Sequence, residues 1–496
     1  MIVFSTMNVF RFLQTSFLMV GISGLLVLFC HGETPYKPKL SDGKSPDFHD
    51  FPMGVLSATG RLYDLEREIV VRDVGKAGFA EQGGLRSGDR IISIEGKISK
   101  QSFSMSTDTG LEGPQNLLGE ALEAACASKN QILNMEVKRN EKKIFLEIKV
   151  PSSPAFASTF PKKCSKSRKY FSGIVDHLVD IQREDGSWRP GVGGDADIYT
   201  GAFCALAVLS ADKKEYLPTV RGAIDFIRKK SIALIKPDDP KVGPKSWQTS
   251  TNAILLAEYQ LATGDDAFFP DLKKCCDLLA DRVSENGRMG HAYEVPYERT
   301  GLVIINVQAH LAWALAAKCG YKIDRKAWDR SMVEVRKSID PKTGAIGYSS
   351  RVPDHPDIPA RTGAMAVALV VAGEEPKMAK GFADALVRYQ GRMRHAHSMT
   401  SIGLIYGMAG IKVVDSKAYE KVMKKWIPYL ELCRTSVGTA AYFGGKRNYA
   451  GDAYLGYHPI GNATVALMLA SAENKLFIHG GTKRNWLEKS SGPNIK

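Results

Sequence analysis

Between His49 and Val150 apolar and polar residues alternate with period two in four stretches, "REIVVRDV", "GDRIISIEG", "QILNMEVKRN" and "KIFLEIKV". One helical stretch, "PQNLLGEALEAACA", is set among them. Period two places successive side chains on opposite faces of a strand, so the pattern predicts short strands and one helix in a small, partly open barrel. After the polar bridge "PSSPAFASTFPKKCSKSR" the spacing becomes helical and stays so. Twelve apolar-periodic segments begin near Arg168, Tyr199, Glu215, Trp247, Ala267, Gly301, Asp324, Arg361, Pro376, Ser398, Ser416 and His458. Charged amphipathic segments such as "RGAIDFIRKK" and "WDRSMVEVRK" alternate with segments that are small and apolar nearly all round, such as "TNAILLAEYQLA" and "TGAMAVALVVA". The first kind has one face to bury and the second has every face to bury, which makes them outer and inner helices. Six such alternations predict a closed double ring, an (α/α)6 toroid.

The expected fold class is therefore multidomain: a small α+β unit over 49–150, then an all-α toroid over 168–474. Residues 33–48 and 151–167 read as polar linkers and 475–496 as a C-terminal tail. Residues 1–32 hold one charged residue, Arg11, and an apolar run from Phe17 to Phe29, which reads as a secretory signal peptide. The expectation is an exported protein, periplasmic or extracellular, with no stable membrane insertion once the leader is removed. Beyond the leader stand seven cysteines, an odd number without repeated spacing. They cannot all pair within one chain, and most fit as small buried hydrophobes. Charge divides unevenly: residues 33–150 carry 17 Lys and Arg against 18 Asp and Glu, while 151–496 carry 49 against 35. No aromatic-interleaved basic stripe accompanies that surplus, so an anionic polymer, and not nucleic acid, is the expected partner of the second unit.

The stretch "VVRDVGKAGFAEQGGLRSGDRIISIEGK" resembles the core of a bacterial-type PDZ domain in its order of strand, Gly-Leu, Gly-Asp and strand. The resemblance implies an extended peptide or protein C-terminus bound by strand addition. Met53, Gly54, Val55 and Leu56 match the carboxylate-binding loop, and the helix from Asn116 would wall the groove. Pro52 and "SATG" depart from the family's loop, and docking on the neighbouring unit is the alternative role. "LVDIQREDGSW" resembles the Gln-Trp motif of the terpene cyclase and protein prenyltransferase superfamily, which implies that Gln182 and Trp188 tie helix ends together. The whole combination resembles an uncharacterised family of exported bacterial proteins that joins a PDZ-like domain to an α/α toroid.

Chemistry, if any, belongs to the turns from outer to inner helices, which gather helix N-termini at one mouth. These turns contribute the carboxylates Asp195, Asp197, Glu298, Asp354 and Asp452 as catalytic candidates. They also contribute Trp247, His291, Tyr293, Arg299, Tyr348, Arg361 and His458 as pocket candidates. Carboxylates among stacking aromatics suit a carbohydrate, and a carboxylate pair is the minimum for glycoside hydrolysis. Of Asp195 and Asp197, one is expected to cap the first inner helix while the other projects into the mouth. Asp195-Ala-Asp197-Ile198 lacks the last carboxylate of a terpene cyclase acid, and no Cys-Gly-Glu-Gln is present for a thioester. No cofactor and no metal are expected, although His395 and His397 form a conceivable pair with His458 or Asp452. Two readings follow: an exported binding or scaffold protein with a peptide-docking module and a pocket for an anionic or polymeric ligand, or a polysaccharide lyase or glycoside hydrolase.

Overall fold

The computed structural model describes residues 48–106, 112–188, 194–293, 301–354, 358–398, 400–441, 444 and 457–484; for 194, 195, 395–398, 400 and 457 it describes the backbone only. The N-terminal unit is a six-stranded antiparallel sheet in sequential order. Its strands are β1 (Phe48–Pro52), β2 (Ala58–Tyr63), β3 (Ile69–Val74), β4 (Arg90–Ile94), β5 (Ile132–Arg139) and β6 (Lys142–Lys149). A short helix α1 (Phe79–Gln82) follows β3, and α2 (Pro114–Ala127), started by proline in its first turn, follows β4. Alternate residues of β5 (Leu133, Met135 and Val137) face the core, as the period-two pattern requires.

The rest of the chain is helical. Outer helices are α3 (Ser165–Asp180), α5 (Leu217–Lys230), α7 (Phe269–Asp281), α9 (Arg325–Lys337), α11 (Pro376–Arg388) and α13 (Ser416–Lys425). Inner helices are α4 (Gly194–Leu209), α6 (Ser246–Thr263), α8 (Val303–Lys318), α10 (Pro359–Ala372), α12 (Thr400–Val414) and α15 (Tyr457–Ala470). Each inner helix packs on the next, α4 on α6 and so on to α15, and α15 returns to α4, which closes the ring. Sixteen of the 18 residues of α6 are buried, as an inner position demands. A further short helix, α14 (Ile427–Cys433), follows α13 and leaves the ring to pack on α2.

The glycine-rich turns close this ring. Trp188 is fully buried and its Nε1 donates to the Leu178 carbonyl at 2.7 Å. Gln182 donates from Nε2 to the carbonyls of Gly186 (3.0 Å) and Thr219 (2.9 Å), tying the end of α3 to its own turn and to α5. Gly186 has φ of 85° and presses so closely on α5 that a Cβ would lie 2.0 Å from the Gly222 carbonyl. Gly287 repeats this two hairpins later, with φ of 83° and a Cβ position 2.1 Å from the Arg330 carbonyl of α9. In the last hairpin the Gly438 carbonyl lies against Gly173 of α3. A turn of one hairpin thus seats on the outer helix of the next, and only glycine allows both the backbone angle and the approach.

Inner helices add a polar tie. Asn306 of α8 donates to the Gly287 carbonyl (2.8 Å) and Ser331 Oγ (2.7 Å), and Asn462 of α15 both accepts from and donates to Ala440. Thr362 of α10 accepts from the Ile346 amide at 3.0 Å. The seven described cysteines are free, six of them buried, and burial pushes the thiols of Cys204, Cys275 and Cys433 well up. Among the described residues no helix is long and apolar enough to cross a membrane.

Candidate functional site

The N-terminal halves of the inner helices bring an aromatic and amide layer together on the ring axis. Gln308 of α8 donates from Nε2 to the hydroxyls of Tyr199 (α4, 3.2 Å) and Tyr406 (α12, 3.1 Å). Ser250 Oγ of α6 donates to the Ser246 carbonyl at 2.9 Å and lies 3.5 Å from the Gln308 Oε1. Phe203 packs edge-on between the two tyrosines. Burial pushes both phenols well up, so they stay protonated and able to donate. Above Tyr199, Trp247 lies edge-on at 5.9 Å and stacks at 6.0 Å on His291, to whose Nδ1 its Nε1 donates at 2.5 Å. Burial first, then Lys245, lowers the His291 pKa, so the imidazole is neutral and accepts that bond. Arg361, fully buried on α10, donates to the Ile346 carbonyl and lies over the Tyr348 ring at 5.7 Å. The amide, phenols and guanidinium are buried and bonded within the layer, while Trp247 and His291 are half-buried, so the ring faces of this stack are what the layer leaves for the apolar face of a ligand.

Other candidates lie apart from this layer. Tyr293 sits under the Lys241 ammonium at 5.5 Å and lines a separate cleft with Asp281, Arg282 and Arg330. His458, at the start of α15, meets His177 of α3 nitrogen to nitrogen at 2.6 Å, across the seam between the first and last hairpins. Asp197 lines a rim cleft of about 580 Å³ with Asp185, Lys230, Lys245 and Gln248. Asp354 is exposed in the turn before α10. The side chains of Asp195, His395 and His397, and all of Glu298, Arg299 and Asp452, lie outside the described residues. Among the described residues no group of three or more His, Cys, Asp or Glu converges as a metal site would require. Sequence reasoning did not single out Gln308 or Tyr406. Both sit inside apolar helical runs, where a lone polar residue carries no local signal of facing the axis.

The exposed edge expected beside Met53–Leu56 is covered. Strand β1 pairs with β2 along its whole length, from Phe48 opposite Tyr63 to Pro52 opposite Thr59, so both edges of β2 are taken. Met53, Val55 and Leu56 are buried, and α14 packs on both this turn and α2. A Cβ on Gly119 of α2 would lie 2.6 Å from the Pro428 carbonyl. Asn116 donates to Glu120 within α2 at 2.8 Å and walls no open groove. At the heart of the contact, Lys166 of α3 bonds Glu123 of α2 and Glu431 of α14 (2.7 Å), and Arg434 closes on Glu431 at 2.7 Å. Burial opposes the Glu431 charge, but Arg434 and Lys166 hold its carboxyl below the usual range.

A closed ring of six helix pairs with one polar, aromatic layer on its axis defines an α/α-toroid protein. Within that class the chain belongs to the family described as Domain of unknown function (DUF6288), which matches residues 169–480. No curated protein matches the chain in sequence. Among solved structures it is similar to an inactive variant of the GH76A alpha-1,6-mannanase of Salegentibacter sp. HEL1_6 in complex with alpha-1,6-mannotetrose, at 12% identity and a TM-score of 0.46, over 62% of this chain and 99% of that one. It is also similar to a cellobiose 2-epimerase from Bacillus thermoamylovorans B4167 (12%, 0.47, covering 63% and 99%). A third is the type II terpene cyclase MstE from Scytonema (13%, 0.43, covering 62% and 99%). Likeness this distant assigns no activity.

Proposed function

We propose that the protein is an exported binding protein whose toroid holds a carbohydrate at its mouth. The observation that carries this reading is the half-buried Trp247–His291 stack, a flat aromatic face held over the buried Tyr199–Gln308–Tyr406 triad. The basic surplus of residues 151–496 favours an acidic polysaccharide over a neutral one. The leader pattern supports export. Glycan-array screening of the full chain, followed by titration of the best acidic and neutral oligosaccharides against tryptophan fluorescence, tests it. Binding should fall at least tenfold in Trp247→Ala with the fold retained. No glycan binding, or binding indifferent to Trp247, rejects the reading.

A second reading, polysaccharide cleavage, draws on Asp197 at the rim cleft beside Lys245. It requires turnover of an acidic polysaccharide that Asp197→Asn abolishes while binding persists. For the N-terminal unit we propose a PDZ-like module that docks in cis, with α14 in the place of an outside peptide. Buried Met53–Leu56 and the paired edges of β2 support docking over peptide capture.

A further inference from the structure

We propose that the N-terminal unit sets the shape of the toroid mouth, through one buried guanidinium. Arg394 lies in the 3-10 segment Gln390–Ser398, the turn from α11 to α12, and is 1% exposed. Its Nη2 donates to His49 Nε2 of β1 at 2.8 Å and to the carbonyl of Gly444, in the turn leading to α15, at 2.8 Å. One side chain therefore joins β1 to the fifth and sixth outer-to-inner turns, two adjacent parts of the mouth rim. His49 is itself fully buried and stacks on Phe103 at 5.8 Å with the rings 11° from parallel, so the N-terminal core holds it in place. Guanidinium nitrogen only donates, which makes Nε2 the acceptor and fixes the imidazole as neutral at that atom. The neighbouring Asp50, also buried, takes Arg61 of β2 (2.7 Å) and Arg72 of β3 (2.6 Å).

The second anchor lies at α14. Gly119 against Pro428, with the Lys166, Glu123, Glu431 and Arg434 cluster beside it, holds the unit to the helix that begins the sixth turn, since Ala441 donates back to the Cys433 carbonyl at 2.7 Å. Contacts at two separated points resist rotation as well as separation. Docking thus constrains the fifth and sixth turns, and loosening the dock frees them while leaving the hairpins on the opposite side of the ring, α6 to α8, as they are. This inference stands whatever the mouth binds.

Hydrogen exchange of the full chain at neutral pH tests it. In His49→Leu, which cannot accept from Arg394, amides within 390–398 and 433–441 should exchange at least tenfold faster, with α6 and α8 unchanged. His49→Gln, whose amide oxygen can accept, should stay within threefold of the wild type. Gly119→Val, which pushes α2 off Pro428 from the other anchor, should quicken the same two segments even if His49→Leu does not fold. Unchanged exchange in both segments, or an equal rise in α6 and α8, overturns the proposal. The first outcome would mean that the dock does not constrain the mouth, and the second that these residues only stabilise the fold as a whole.

Discussion

At the scale of single residues the polar groups that matter most are the ones a hydrophobic helix hides. Glu258 lies in the middle of α6, is 1% exposed, and accepts the amides of Phe477 (2.9 Å) and Ile478 (2.8 Å), clasping the C-terminal segment to the ring. Burial raises its pKa to about 7, against the two amides that favour the charge. A carboxyl whose folded value lies above its unfolded value contributes its full stability below the unfolded value. That contribution is lost as pH rises through the folded one. Wild type should therefore lose about 3 kcal/mol between pH 4.5 and 8 through this group. Buried His310 and His479, both lowered to about 3, act in the opposite direction, losing stability as pH falls below the unfolded histidine value. Denaturant titrations of wild type and Glu258→Gln across that range isolate the carboxyl. The difference between them should shrink steadily with rising pH, and a constant difference would refute the assignment.

Among elements, the turn from outer to inner helix is the repeating unit of construction. Trp188→Ala removes a fully buried side chain and its bond to Leu178, and should cost about 3–5 kcal/mol without touching the aromatic layer. Asn306→Ala breaks the tie between α8, the Gly287 turn and α9, and should cost about 1–3 kcal/mol, since it strands the buried Gly287 carbonyl and leaves the Ser331 hydroxyl with its His310 bond alone. Urea midpoints check both. Asp197 differs from these in kind, because it lines a cleft: Asp197→Asn should leave the midpoint near wild type and change only ligand binding or turnover.

For the whole molecule the dock makes two units into one body. Calorimetry of the full chain should show a single transition, and Gly119→Val, which removes the close approach of α2 to α14, should split it in two. A single transition in the variant as well would mean that the remaining contacts suffice.

Periodicity alone carried the alternation of outer and inner helices, because a helix buried all round and one buried on a single face differ in composition at every turn. Expected starts near Ser416 and Pro376 coincide with those of α13 and α11, and that near Arg168 falls three residues inside α3. Local chemistry also marked Gln182 and Trp188, whose roles are met by neighbours within one hairpin and the next. What lay beyond the sequence was which particular side chains of distant segments meet. Gln308 meets Tyr199 and Tyr406 from residues about a hundred positions away, and Arg394 meets His49 from 345 away. Strand β1 covers the edge of β2, and α14 covers Met53–Leu56, because burying both apolar surfaces together removes more of them from water than leaving either exposed. A pattern along the chain states which faces must be buried; only the closed ring and the docked sheet decide against what.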